Sequence, residues 1–303
     1  MLGLGTWLSQ PGEVQAAVVT AVELGYRHID CATVYGNEAE IGQALRDCVD
    51  RGLVTRAQMW ITSKLWNNAH APEDVAPALE QTLSDLGLDY LDLYLMHWPV
   101  ACKRGVTLPD SPDDLVSLDE MPLSATWQAL EDVHARGLCR HIGVSNVSVK
   151  KLAALQEGAR VGPEVNQIEL HPYLQQRELV DFSQRTGVFV TAYSPLGSGG
   201  RSTAGADGEA LVLEDPVIAD IARELGATPA QVLLSWGLHR GAAVIPKSVN
   251  PERLGQNLAA AELALSPAHM DRIAALDRHQ RYIAGNFLTL PGSPYTQSKV
   301  WDE

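Results

Sequence analysis

The chain has 303 residues, with 23 Lys and Arg against 37 Asp and Glu and a formal net charge of −14. A field of that sign disfavours nucleic acid and anionic membrane surfaces, which attract clustered positive charge. Hydrophobic residues at 46% and charged residues at 20% fit a folded domain rather than a disordered chain.

Short apolar runs at 2–7, 28–31, 59–64, 91–98, 141–146, 164–170, 188–195 and 242–248 read as strands. They are too short for helices, and their near-continuous apolar character suits parallel strands covered by helices. Helical segments lie between them. Asn37 and Glu40 have capping-box spacing ahead of Ile41, Ala44 and Leu45. After residue 72, Val75, Leu79, Thr82, Leu83 and Leu86 form a stripe at three- and four-residue spacing. Thr228-Pro229-Ala230-Gln231 combines an N-cap Thr, Pro at the first helical position and Gln at the third. Asn250-Pro251 and Ser266-Pro267 repeat the cap-then-Pro signal.

Eight strands alternating with helices predict a (β/α)8 TIM barrel, class α/β, in one domain over 1–303. A doubly wound open sheet shares the alternation and is the rival. Three stretches lack periodicity: 99–123, 197–214 and the tail from about 278 to 303. Loops this long are usually lids or binding loops. The first two are expected at the C-terminal face of the barrel, and the tail as a loop over the active site.

No apolar run approaches the ~18 residues of a membrane span, and the first basic residue is Arg27, so a secretory signal is not expected. Cys31, Cys48, Cys102 and Cys139 form no CxxC pair. They read as free thiols of a cytoplasmic protein. Cys31 is expected to pack, and Cys102, in the first long loop, to be open to solvent.

Polar residues end the apolar runs: Asp30, Lys64, His97, Ser145 with Asn146, Gln167, Tyr193 and Lys247. In a barrel these ends point to one face and converge. A buried Asp and Lys need partners, and each suits the other. Tyr35 adds a phenol whose ordinary pKa of about 10 is high for proton exchange near neutrality. An ammonium at about 4 Å contributes roughly 4 kcal/mol at an effective dielectric of 20, while desolvation of the phenolate opposes it. Asp30 would keep Lys64 charged and aimed, and Tyr35 would protonate a developing alkoxide. His97 could hold a carbonyl oxygen against Tyr35 or donate the proton itself; the Lys–Asp support favours Tyr35.

These segments resemble those of the aldo-keto reductase family over essentially the whole chain. Gly5-Thr6-Trp7, His28-Ile29-Asp30 with Tyr35-Gly36-Asn37-Glu38, Ser63-Lys64-Leu65-Trp66 and Leu95-Met96-His97-Trp98-Pro99 resemble its catalytic segments. Gly143-Val144-Ser145-Asn146, Asn166-Gln167, Tyr193-Ser194-Pro195-Leu196-Gly197 and Ile245-Pro246-Lys247-Ser248 resemble its cofactor segments.

The resemblance implies NADPH-dependent reduction of carbonyls through a Tyr35, Lys64, Asp30 and His97 tetrad. It places Ser145, Asn146 and Gln167 at the nicotinamide carboxamide and Tyr193 against its ring. It puts Thr6, Trp7, Ser194, Leu196 and Ser198 along the cofactor, the loop at Gly197-Ser198-Gly199-Gly200 strapping the pyrophosphate. Lys247, Ser248, Asn250 and Arg253 would take the adenosine 2′-phosphate, with Gln256 and Asn257 near adenine. Two cations at a helix start favour NADPH over NADH. Trp7, Trp66 and Trp98 would line an apolar pocket for a small-molecule carbonyl substrate, with Phe287 and Leu288 able to close it. A monomer is also implied. One departure is the start: the family's opening β-hairpin, which plugs the barrel bottom, is not seen before Gly3.

Competing motifs are weaker. No G-x-G-x-x-G follows a strand. Gly143-Val144-Ser145-Asn146-Val147 approximates a nucleophile elbow but lacks the second glycine, leaving a Ser145 hydrolase with little support. No metal-ligand spacing appears. His28 and His141 read as structural and His171 as a loop residue. A cofactor-binding regulatory or structural subunit with the same fold is the alternative to an enzyme.

Overall fold

The computed structural model describes residues 1–197 and 211–303. Eight parallel strands run in sequence order around one sheet: β1 (Leu4–Gly5), β2 (His28–Asp30), β3 (Trp60–Leu65), β4 (Leu91–Met96), β5 (Cys139–Ser145), β6 (Val165–Glu169), β7 (Phe189–Tyr193) and β8 (Ala243–Val244). Parallel bridges Leu2↔Val244 and Gly5↔Lys247 join the last strand to the first. The Gly3 amide donates to the Val244 carbonyl at 2.9 Å and that of Gly5 to Pro246 at 3.1 Å. The sheet therefore closes into a (β/α)8 barrel, and the doubly wound rival is excluded. Strands β1 and β8 are shorter than the apolar runs that predict them, and isolated bridges at Leu2 and Lys247 extend the pairing past their ends.

Around the sheet lie α1 (Glu13–Leu24), α2 (Glu38–Asp50), α3 (Pro72–Leu86), α4 (Leu123–Ala135), α5 (Val149–Gly158) and α6 (Arg177–Arg185). They continue with α7 (Pro216–Leu225), α8 (Pro229–His239), α9 (Pro251–Ala259) and α10 (Pro267–Ala274). The stripe of Val75, Leu79, Thr82, Leu83 and Leu86 is the buried face of α3. The caps at Thr228, Asn250 and Ser266 each accept the expected backbone N–H. Replacing Thr228 by Ala is expected to cost about 1 kcal/mol, read as a lower urea midpoint with an unchanged slope.

The Asn37–Glu40 box does not form. Asn37 Nδ2 donates to the Thr6 carbonyl at 3.0 Å, and Glu40 accepts from the Gly12 amide at 2.9 Å. Tertiary partners take both side chains that the spacing assigns to a local cap.

Strand alternation separates two apolar cores. Outward residues such as Ile29, Ile61, Ile142 and Ile168 pack under the helices. Leu93, Leu95 and Val165 fill the barrel interior against Trp60. Gly143 is needed there: a Cβ would stand 2.5 Å from the Val165 carbonyl oxygen and 2.8 Å from Leu95. His28 and His141 sit at the lower end as structural groups. His141 stacks on Trp60 at 5.2 Å and bonds Glu164 at 2.8 Å, and His28 contacts Thr62 at 3.2 Å.

The stretch 99–123 holds a small antiparallel ribbon, Ala101–Cys102 against Leu115–Val116. All four cysteines are buried, so Cys102 is not the open thiol expected of a loop; Val100, Leu115 and Tyr295 enclose it in one cluster. The tail contains a short turn, Asn286–Leu288, and a last helix, α11 (Gln297–Trp301). Tyr295 pins the tail to the ribbon by accepting from the Ala101 amide and donating to the Val116 carbonyl. Lys151 and Ser148 bind Asp302 at its end. Among the described residues no helix is long and apolar enough to cross a membrane.

Candidate active site

Period-2 alternation decides which side chains enter the barrel. Asp30 on β2, Lys64 on β3, Ser145 on β5, Gln167 on β6 and Tyr193 on β7 share the inward register near the C-terminal ends of their strands. His97 follows β4 directly, and Tyr35 is carried by a single 3-10 turn, Thr33–Tyr35, after β2.

Lys64 Nζ lies 2.5 Å from Asp30 Oδ1, 2.8 Å from the Cys31 carbonyl and 3.4 Å from the Tyr35 hydroxyl. Gln167 Nε2 donates to the other Asp30 oxygen at 2.7 Å. Thr6 ties the strand edge by donating to the Asp30 carbonyl at 2.8 Å. Asn146 Nδ2 donates to the His97 carbonyl at 2.9 Å, and the Tyr193 hydroxyl donates to Asn146 Oδ1 at 2.7 Å. Ser145 donates to the Gln167 carbonyl at 2.8 Å. The structure thus brings the expected strand-end residues into one network, with Lys247 apart from it. Asn146 and Ser194 have φ of 62° and 46°. Left-handed backbone is unusual at non-glycine residues and carries local strain; Leu8, Gln176, His279 and Asp302 adopt it too.

The electrostatics divide the labour. Burial alone would lower the Lys64 ammonium, but Asp30 and then Tyr35 outweigh it and hold it above its ordinary value. Burial raises the Tyr35 phenol, and Lys64 offsets part of that rise. Tyr35 is therefore a loaded proton donor in the resting site, not a phenol brought down toward neutrality. Burial, then Lys64 and His70, push His97 well below its ordinary value. A neutral imidazole can orient an oxygen by hydrogen bonding but holds no extra proton to give. The His97 ring meets Tyr35 edge-on at 5.9 Å and Trp66 at 5.0 Å.

The three tryptophans differ. Trp7 is 41% exposed at the rim, whereas Trp66 and Trp98 are buried. Phe287 stacks on Trp66 at 6.4 Å and meets Trp98 edge-on at 5.8 Å; Trp301 meets Trp98 at 5.7 Å. The tail thereby covers the apolar wall beside His97.

Beyond β8, Asn250 caps α9 and accepts from the Arg253 amide at 3.0 Å, and Ser248 accepts from the Asn250 amide at 3.2 Å. Lys247 and Arg253 are exposed, Gln256 is half-buried and bonds Glu252, and Asn257 is buried. Among the described residues neither Lys247 nor Arg253 has an ion-pair partner. Leu196 is half-buried beside Ser194 on the segment after β7, while Ser198 lies outside the described residues.

Sequence reasoning missed Glu169. It is fully buried, accepts from the Tyr282 and Ile283 amides at 2.7 and 2.8 Å, and pairs with His171 at 2.8 Å. His171 is thus a buried partner of the carboxylate that anchors the tail, not a plain loop residue. The available signal is parity: Glu169 lies two residues after Gln167 in the run 164–170 and so shares its face.

The family model described as the Aldo/keto reductase family matches residues 1–278. An aldo/keto reductase, slr0942, of Synechocystis sp. is 57% identical over 303 residues, covering 100% of this chain and 93% of that protein. Human aldo-keto reductase family 1 member A1 is 47% identical over 294 residues, covering 96% and 90%. The structure of the aldose reductase from Schistosoma japonicum superposes with a TM-score of 0.87 at 40% identity, covering 95% and 91%.

Proposed function

Because the chain belongs to the aldo/keto reductase family, a family of carbonyl-reducing oxidoreductases, we propose that it reduces aldehydes and ketones to alcohols with NADPH, Tyr35 acting as general acid. The observation that carries this reading is the buried Asp30–Lys64 pair set against the Tyr35 hydroxyl.

The site's free valences fit a nicotinamide cofactor. Gln167 Oε1 accepts no hydrogen bond from the described residues, leaving an acceptor for a carboxamide N–H beside Ser145 and Asn146. Lys247 before and Arg253 within the first turn of a capped helix, without ion-pair partners among the described residues, suit a dianionic 2′-phosphate, which a helix N-terminus also favours. When bound, the nicotinamide supplies a hydride to the carbonyl carbon. Tyr35 gives its hydroxyl proton to the carbonyl oxygen as negative charge grows there. Lys64, held charged by Asp30, stabilises the phenolate left behind by roughly 4 kcal/mol at about 4 Å and an effective dielectric of 20. Neutral His97 orients the oxygen, and Trp66, Trp98 and Phe287 keep water from that side of the mouth.

Arg253→Ala or Lys247→Ala is expected to raise the KM for NADPH about 10- to 100-fold, the weight of a charged hydrogen bond, while NADH kinetics stay within about twofold. Equal weakening toward both cofactors would remove the 2′-phosphate assignment.

A binding-only subunit has no use for a charged lysine wedged between a carboxylate and a phenol. NADPH oxidation with a simple aromatic aldehyde separates the two readings. A hydrolase is disfavoured by Ser145 itself, whose hydroxyl proton goes to the Gln167 carbonyl, with no base bonded to it among the described residues.

A further inference from the structure

Glu38, the first residue of α2, is a buried carboxyl that the proton transfer above does not use; it is 4% exposed. Among the described residues no lysine or arginine bonds it. Its Oε1 accepts from the Ser63 hydroxyl at 2.5 Å, and its Oε2 lies 3.2 Å from the Thr82 hydroxyl. Ser63 neighbours Lys64 on β3, and Thr82 sits on the buried face of α3. The chain of contacts continues inward. Thr82 and Thr33 hydroxyl oxygens are 2.9 Å apart, and Thr33 Oγ1 is 3.4 Å from the Lys64 carbonyl oxygen. Thr33 opens the turn that ends at Tyr35.

Counting protons gives this chain a direction. It has three contacts, Glu38–Thr82, Thr82–Thr33 and Thr33–Lys64 carbonyl, but the two threonines supply only two hydroxyl protons. The Lys64 carbonyl can only accept. All three contacts are satisfied together only when Glu38 Oε2 carries a proton and donates to Thr82, which donates to Thr33, which donates to Lys64. With Glu38 ionised, Thr82 donates to the carboxylate, and either the Thr82–Thr33 contact or the Thr33–Lys64 contact is left without a proton, so the chain is broken at one link.

We propose that Glu38 is a positioning residue that works in its protonated form, its proton directing the Thr82–Thr33 hydroxyl chain that braces the Tyr35 turn against the Lys64 strand. The inference rests on the reductase reading for its kinetic consequence. Burial raises the Glu38 carboxyl to about 7, against the pull of the Ser63 and Thr82 hydrogen bonds, with Asp85 of α3 adding to the rise and Lys64 reducing it. The other titratable groups facing it, Cys31 after β2 and Tyr94 on β4, are both pushed well above their ordinary values and stay neutral across this range. The brace is therefore favoured below about pH 7 and weakened above it.

The experiment compares the wild type, Glu38→Gln and Thr82→Val. Single-turnover reduction by the wild type is expected to fall about threefold or more between pH 6 and 8, since small misplacements of a reacting group are costly. Gln at 38 keeps a donor toward Thr82 and an acceptor toward Ser63 at every pH, so it should hold the low-pH rate without that fall. Thr82→Val, near-isosteric, should be slow throughout and equally flat. A fall in Glu38→Gln matching the wild type would overturn the proposal.

Stability gives a second readout that needs no turnover. A carboxyl raised in the folded state contributes stability that is full below its unfolded pKa and lost as pH rises through about 7. The melting temperature of the wild type should therefore drop relative to Glu38→Gln between pH 4.5 and 8, on the order of 5 °C. Should no aldehyde be reduced by the wild type, the reductase reading fails alone and this difference still decides the state of Glu38. A constant difference would mean that Glu38 is ionised throughout, and would overturn the proposal.

Discussion

Tyr35→Phe is expected to lower the rate of aldehyde reduction by about 10²- to 10⁴-fold, the usual weight of a positioned general acid, and to leave NADPH affinity within about twofold. The substitution removes one oxygen and keeps the ring that meets His97 edge-on at 5.9 Å. Packing is thus conserved, while the atom 3.4 Å from Lys64 Nζ is gone. The effect should fall on the chemical step, so single-turnover rates and cofactor fluorescence titration separate it from binding. Normal turnover in this variant would end the acid assignment. The remaining candidate, His97, is a poor replacement, because burial and the Lys64 charge keep its ring neutral. Loss of the phenol proton should not mimic the variant near neutrality either, since the phenol sits above its ordinary value there; the smaller fall expected through Glu38 is a separate effect.

Lys64→Met should injure stability and activity together. Removing one partner of a buried pair leaves the other uncompensated, which costs about 3–5 kcal/mol. Asp30 is 2% exposed and, among the described residues, would retain only the Gln167 amide on its side chain. Reduction should fall at least about hundredfold, because the phenolate left by proton transfer loses its counter-charge. Urea denaturation and single-turnover assays report the two losses. The double change Asp30→Asn with Lys64→Met distinguishes them. It removes the orphaned charge, so it should regain more than half of the lost stability while activity stays down. A double variant that recovers both would mean that Lys64 acts only as a structural partner of Asp30.

Much of the barrel was legible because its signals are local. Asp30, Lys64, Gln167 and Tyr193 each stand toward the end of an apolar run, and in a barrel those ends gather on one face. A cap needs only four residues, and Thr228, Asn250 and Ser266 behave as their neighbours predict. The α3 stripe needed only a helical period. What the chain order could not supply was the partner of a side chain free to choose among distant groups. Asn37 and Glu40 carry the letters of a cap, yet bond Thr6 and Gly12. Cys102 reads as a loop thiol until Tyr295, far along the chain, closes over its ribbon. Glu169 becomes an anchor only when the amides of 282–283 arrive above it. The sequence determined which residues face the barrel axis, since backbone geometry enforces that within each strand. Beyond the Asp30–Lys64 pair, which the residue types already suggest, the tertiary structure decided their protonation and pairing. Those depend on burial and on donors brought from remote segments, and neither is written in the spacing of neighbouring residues.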